Sequence, residues 1–381
     1  MVLTSFRQRF GRVTSGSVLG LGLSAPAFAD YALTFPHPVT PVARDIVELH
    51  NAVLVFSAAI VLVVFGAVFY SVLRHRKSRG IKPARFHDNP RPQVVWTVLP
   101  FLILIGLVIP ATVTLLKMRD IGRTDMTVKI TGYQWRWKYE YPEQEISYLS
   151  APTTPADQIE NRSPKGPDYL LAVDDPLVLP VGRRIRLQVT SADVVHSWWV
   201  PSFGVKRDAV PGFVNESWVL IEEPGIYRGQ CAELCGKGHG FMPIVVHAVT
   251  LEEFDAWVAD RRREAAALHV VAAKTLGLDE LMTQGRKVYS TICAACHGAT
   301  GKGIPGIFPG LAGSGVLTGP LERHLETILN GRRTGNYPSA MPPFGAQLSD
   351  LDIAAVATYE RNTFGAKNGE LAQAGQVKAL R

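Results

Sequence analysis

Thiols are scarce in this 381-residue chain: it has four cysteines, and they fall into two tight pairs. Cys231 with Cys235 and Cys293 with Cys296 each sit inside a metal-type motif, so no thiol is left for a structural disulfide framework. Charge is absent from two long stretches. Residues 52–73 and 94–116 contain no Asp, Glu, Lys or Arg over 22 and 23 positions. About 20 apolar residues of helix span the hydrocarbon core of a bilayer, so each stretch is long enough to cross. The lack of a polar stripe excludes a pair of soluble core helices, and Pro100 and Pro110 are tolerable in a membrane helix with neighbours. A basic surface is also missing, despite a formal charge of +7. With three N-terminal arginines set aside, 37 basic residues face 33 acidic ones, and residues 74–91 alone carry seven basic side chains against Asp88. The remainder is slightly acidic, which gives no footprint for nucleic acid.

What is present begins with a targeting pattern. Arg7, Arg9 and Arg12 precede a small-apolar stretch, 13–26, and then Ala27-Phe28-Ala29. This order predicts a secretory signal peptide over 1–29, cleaved after Ala29. The loop between the two apolar runs is rich in Arg and Lys, which keeps it cytoplasmic and puts both ends of the hairpin outside. The chain therefore reads as a two-pass protein of a bacterial-type plasma (inner) membrane, with its folded parts on the outer, periplasmic side.

At this length there is room for two or three domains. Between about 122 and 249, runs such as Val128-Lys-Ile-Thr and Ile185-Arg-Leu-Gln-Val-Thr190 alternate apolar with polar residues between Pro/Gly turns. That pattern predicts an all-β sandwich or barrel over 121–250. Within it lies Cys231-Ala-Glu-Leu-Cys235-Gly-Lys-Gly-His239-Gly-Phe-Met242. Two thiolates, an imidazole and a thioether form a soft ligand set suited to copper, and His196 from a separate loop offers a second imidazole. A structural Cys₂His₂ zinc site is the alternative, and it leaves Met242 without a role.

Residues 251–277 read as a helix and linker, followed by a small helical domain over 278–364 and a disordered tail over 365–381. Cys293-Ala-Ala-Cys296-His297 is the attachment signature of c-type haem, with His297 placed to be the proximal ligand. Met341, just before a helix that starts near Ser349, has the context of a sixth ligand, and His/Met ligation suits electron transfer. Met282 and His324 are the other candidates for that ligand: Met282 precedes the haem motif on a packing helix, and His324 reads rather as an exposed helical histidine.

These residues carry a resemblance. The hairpin, the strand Gly132-Tyr-Gln-Trp-Arg-Trp-Lys-Tyr-Glu-Tyr-Pro142 and the His196-Ser-Trp loop resemble subunit II of haem-copper cytochrome c oxidases, over roughly residues 40–260. That resemblance implies a cupredoxin-like domain holding a binuclear copper centre, CuA. Cys231 and Cys235 would bridge the two coppers, His196 and His239 would cap them, and Met242 and the Glu233 carbonyl would be weak axial ligands. It also implies a Mg²⁺ or Mn²⁺ ion on the Glu233 side chain, and electron acceptance at Trp135. The helical part resembles small class I cytochromes c, so the whole looks like subunit II of a caa3-type oxidase with a fused cytochrome. No catalytic residue is expected on this chain. Oxygen reduction, coupled to proton translocation, would belong to haem a in a catalytic subunit I, alongside a subunit III, with an external cytochrome or other donor and membrane lipid as further partners. A CuA-containing nitric oxide reductase and a free-standing membrane-anchored carrier are alternatives. One departure stands out: Gln93 occupies a position where the family often has a glutamate at the mouth of a proton path.

Overall fold

The computed structural model describes residues 34–80, 88–272, 275–333, 335, 337, 340–367 and 369–381. The expected signal peptide and part of the basic loop lie outside the described residues.

Helix α1 (Pro41–Arg74) starts at Thr40, whose side chain accepts the Ala43 N–H, with Pro41 in the first turn. Helix α2 (Pro90–Arg119) starts the same way, with Asn89 as cap and Pro90 following. A capping side chain satisfies an orphan N–H, and proline loses nothing where the N–H is unpaired anyway. Both helices outrun the uncharged stretches because their caps lie further out, among charged residues. The central windows have mean hydropathy of 2.9 and 2.5, and none of those side chains is buried within the protein. The ends next to the β domain are tied down: Lys117 pairs with Asp45 at 2.6 Å, the Thr40 hydroxyl donates to the Phe203 carbonyl, and the Trp218 indole donates to the Lys117 carbonyl.

Among the described residues ten strands follow, and they form two five-stranded sheets. The first has the order β3-β2-β1-β5-β8, built from β1 (Met126–Tyr133), β2 (Arg136–Tyr141), β3 (Ile146–Ser150), β5 (Arg184–Ser191) and β8 (Asn215–Leu220). The second has the order β4-β10-β9-β6-β7, from β4 (Leu177–Pro180), β6 (His196–Val200), β7 (Val205–Ala209), β9 (Gly225–Cys231) and β10 (Pro243–Val249). One turn of helix, α3 (Ala156–Ile159), lies in the long β3–β4 connection. Pairing is antiparallel except for β1 with β5 and β4 with β10. Strand β5 alternates buried and half-buried residues along its whole length, as a one-face-in strand must. Ile130, Trp137, Tyr139, Leu187 and Trp198 are fully buried between the sheets, and each aliphatic or aromatic side chain so removed from water contributes about 1.5–3 kcal/mol.

Helix α4 (Leu251–Ala272) lays Phe254, Val258 and Trp257 on this sandwich. The helical domain comprises α5 (Leu278–Val288), α6 (Ala294–His297), α7 (Leu321–Asn330) and α8 (Asp350–Thr363). Its centre is the α5–α8 crossing. A Cβ on Gly285 would lie 2.1 Å from the Ala355 carbonyl oxygen, so only glycine admits this approach.

Two expectations are corrected here. The tail is folded: α9 (Ala374–Ala379) buries Ala374 and Val377, and Ala372 just before it is buried too and donates its N–H to the Thr358 hydroxyl. Small side chains fill a shallow groove on α8, a contact that Ala/Gly-rich composition does not advertise. His324 is buried as well, 2 % exposed, and its Nε2 lies 2.9 Å from Glu360 Oε2. It shares the inner face of α7 with Leu325 and Ile328, a helical spacing that signals burial.

Candidate metal centres

At one end of the sandwich, β9 delivers Cys231 into the core and the following loop returns Cys235, His239 and Met242 towards it. The two sulfurs are 3.8 Å apart. Cys231 Sγ lies 4.0 Å from His196 Nδ1 and 3.3 Å from the Glu233 carbonyl oxygen. Cys235 Sγ lies 3.7 Å from His239 Nδ1 and 3.5 Å from Met242 Sδ. Each sulfur thus has its own imidazole and its own weak donor. A single tetrahedral zinc would leave part of this set unused; two soft ions sharing both thiolates would use all of it.

The surroundings fix the ligands. His196 Nε2 is held at 2.8 Å by Asp193 Oδ1, which leaves Nδ1 turned to Cys231. Orientation by a carboxylate on the far nitrogen is what metal-ligating histidines ordinarily need. Burial disfavours the imidazolium of His196, but the bonds to Asp193 and Cys231 outweigh it and raise its pKa. Proton sharing between the thiols lowers Cys231 and raises Cys235, so loading metal displaces a proton. Gly132 makes room for the imidazole, since a Cβ there would meet His196 Cδ2 at 2.8 Å. Glu233 itself is exposed.

Trp135 lies over the same loop. Its indole N–H donates to the Cys235 carbonyl at 3.1 Å, and the Gln134 amide donates there too at 2.9 Å. The indole rests directly on Gly238, where a Cβ would come within 2.3 Å of the ring.

The second centre is a cavity of about 560 Å³ in the helical domain, within the range of about 300–1,000 Å³ that small-molecule sites occupy. Cys293, Cys296, His297 and Met341 all line it. The His297 Nδ1–H donates to the Pro309 carbonyl at 2.9 Å, so Nε2 keeps its lone pair. Met341 is pinned by two backbone hydrogen bonds with Arg332, 2.8 and 3.0 Å. Size, paired thiols, an oriented imidazole and a thioether fit a covalently held haem. His324 and Glu360 also line this cavity, as do Gln134, Trp135, Gly236 and Lys237 from the copper-type domain. Sequence reasoning missed Glu360 and the contribution of Gln134 and Lys237; the last two have no local signal, because only tertiary contact brings them to the cavity.

A membrane-anchored β-sandwich with a soft-metal cluster, carrying a cytochrome-like domain, defines an electron-transfer protein. Comparisons agree. Residues 126–249 match the periplasmic domain of cytochrome c oxidase subunit II, 29–113 match its transmembrane domain, and 280–359 match cbb3-type cytochrome c oxidase subunit III. Probable cytochrome c oxidase subunit 2 of Rickettsia conorii is 35% identical over 263 residues, 68% of this chain and 82% of that protein. Cytochrome c oxidase subunit 2 of Cereibacter sphaeroides is 40% identical over 241 residues, 60% of this chain and 80% of that one. The periplasmic domain of cytochrome oxidase subunit II from Bradyrhizobium japonicum is 41% identical, covering 38% of this chain and 98% of that one, with a TM-score of 0.34. The chain belongs to the cytochrome c oxidase subunit II family and carries a C-terminal cytochrome c domain. As such it is part of an oxidoreductase complex and partners a haem-copper subunit I; the two domains imply CuA and haem c.

Proposed function

We propose that this chain is subunit II of a caa3-type oxidase, receiving electrons from an external donor on haem c and passing them through CuA to haem a of the catalytic subunit. One observation carries this reading: Trp135 lines the cavity that holds Cys293, Cys296 and His297, and its indole is hydrogen-bonded to the Cys235 carbonyl. The residues divide the work accordingly. Cys293 and Cys296 would anchor haem, while His297 and Met341 would hold its iron. His196, Cys231, Cys235, His239, Met242 and the Glu233 carbonyl would hold copper, and the sandwich keeps them fixed so that little would move when charge changes. The exposed Glu233 carboxylate, a hard oxygen donor, is free to hold Mg²⁺ or Mn²⁺ at the boundary with subunit I. Both folded domains lie on the periplasmic side.

The test uses the oxidase purified from native membranes with metal and haem analysis. Replacing Cys231 or Cys235 with Ser should abolish the mixed-valence copper spectrum and leave haem attached. Replacing Cys296 and His297 with Ala should remove haem c, spare copper, and cost most turnover with the native donor. Full turnover without haem c would make the cytochrome domain an accessory, and absence of oxygen consumption in the wild-type complex would sink the oxidase reading. Manganese bound equally by Glu233→Gln would remove that assignment.

A further inference from the structure

Arg136 follows Trp135 directly and begins β2. It is 4 % exposed, yet it forms no ion pair with a carboxylate among the described residues, and its Nε has no hydrogen-bond partner. Burying an unpaired guanidinium is expensive, and an apolar side chain would serve the sandwich better at that place. What Arg136 does contact is the other domain. One terminal NH₂ donates to Gln347 Oε1 at 2.7 Å, and the guanidinium lies 5.4 Å from the centre of the Phe344 ring, within cation–π range. Gln347 is itself set for this, because its amide N–H donates to the Pro343 carbonyl at 2.8 Å and turns the oxygen outward. Two further contacts lie alongside: Lys138 Nζ donates to the Ala346 carbonyl at 3.2 Å, and Leu149 packs on the core of the helical domain. Phe344 and Leu348 line the haem cavity on their other side. The segment gripped by Arg136 is therefore a wall of that cavity.

We propose that Arg136 is a positioning residue that clamps the cytochrome domain over Trp135, and that the clamp closes the Trp135 surface to soluble donors. The partner for which that surface is built is this chain's own cytochrome domain. Soluble cytochromes must then deliver to the tethered haem, because the indole is a wall of the cavity shared by the two domains and not a free landing site. The planar, five-donor fork of Arg136 suits the task, since it grips a side-chain amide and an aromatic face at once. This inference rests on the proposed relay and adds to it which donor has access to Trp135.

The experiment uses the purified oxidase carrying the full chain, as wild type, Arg136→Ala, Arg136→Lys and Gln347→Ala. Two readouts follow the undocked population: hydroxyl-radical footprinting of Phe344, and single-turnover reduction of copper by soluble ferrocytochrome c. In the wild type, copper should be reduced only after haem c. Losing a hydrogen bond to a charged group raises the undocked fraction about tenfold or more. Arg136→Ala should therefore increase Phe344 labelling by that factor and let part of the copper reduce without a lag. Arg136→Lys should fall between the two, and Gln347→Ala should reproduce the direction with β2 untouched. Unchanged labelling and an unchanged lag in Arg136→Ala, with normal haem and copper content, would overturn the clamp. If Arg136→Ala fails to load copper, Gln347→Ala decides alone. A wild type in which haem c never reduces copper would instead sink the relay itself.

Discussion

The two metal centres of this chain are built on opposite plans. In the copper-type site a rigid sandwich brings every candidate ligand to within about the reach of a metal: sulfur to sulfur 3.8 Å, each imidazole 3.7 or 4.0 Å from a different sulfur. In the haem-type site the chain surrounds a cavity of about 560 Å³ that its own side chains do not fill. The first centre sits at the end of a sandwich with a large hydrophobic core of its own. The second depends on its occupant for much of its core.

Removing the occupants is the strongest way to break this contrast. Cys293→Ala with Cys296→Ala should abolish covalent haem, and with it the cooperative unfolding of the helical domain. Loss of haem would leave Ile292, Leu317, Ile328 and Phe344 of the cavity lining without their partner, and at about 1.5–3 kcal/mol for each large apolar side chain that is comparable to the whole stability of a domain. Cys231→Ser with Cys235→Ser should abolish copper binding but change sandwich stability by only about 1–2 kcal/mol. Calorimetry and limited proteolysis of the two variants measure the difference; equal loss of structure in both would refute it.

Met341→Ala sharpens the second half of the comparison. Haem should remain attached through Cys293 and Cys296 while its potential falls and the sixth position opens. New carbon monoxide binding by the ferrous protein and a redox titration are the measurements. No new binding and an unchanged potential would mean that another side chain is the ligand.

The sequence made one centre more legible than its surroundings. Cys231, Cys235, His239 and Met242 lie within twelve residues, so a soft ligand set could be read without knowing the fold; Glu233 entered through the resemblance alone, and His196 through the resemblance and its loop. Cys293, Cys296 and His297 were legible for the same reason. His324 was misjudged because a lone histidine on a short helix looks solvated until its neighbours Leu325 and Ile328 are put on the same face. The tail was misjudged because alanines carry little hydrophobic signal, although Ala372 and Val377 are fully buried. Arg136 was unreadable for a different reason: its partners Phe344 and Gln347 are more than 200 residues away, and only tertiary contact joins them.

Two glycines test each scaffold with one methyl group. Gly285→Ala would drive a Cβ against the Ala355 carbonyl and pry α5 from α8, while Gly132→Ala would press on the His196 ring. Each should cost about 1–3 kcal/mol. They should differ in what they perturb: Gly285→Ala the unfolding of the helical domain, Gly132→Ala the copper spectrum. Stability and spectra recorded on both variants decide it, and a normal copper spectrum in Gly132→Ala would show that the imidazole has slack.

The smallest expected effect concerns where the rigid sandwich ends and the tether begins. Helix α4 is fastened by Arg261, which pairs with Asp175 and lies over the Tyr148 ring. Burial pushes the Asp175 carboxyl up to about 6, although Arg261 pulls the other way. The unfolded chain holds that proton only to its ordinary value near 3.8, so between about pH 4 and 6 the folded state binds more protons. Stability of the sandwich with α4 should therefore fall as pH rises through that window and level off above it. Two units correspond to a ceiling of about 3 kcal/mol, and partial exposure of both partners brings the expected change to about 1 kcal/mol. Asp175→Asn, which cannot titrate, should lose this slope when denaturant unfolding is followed at pH 4, 5, 6 and 7. Parallel curves for wild type and variant would mean that the pairing with Arg261 offsets burial in full, so that Asp175 carries none of the pH dependence.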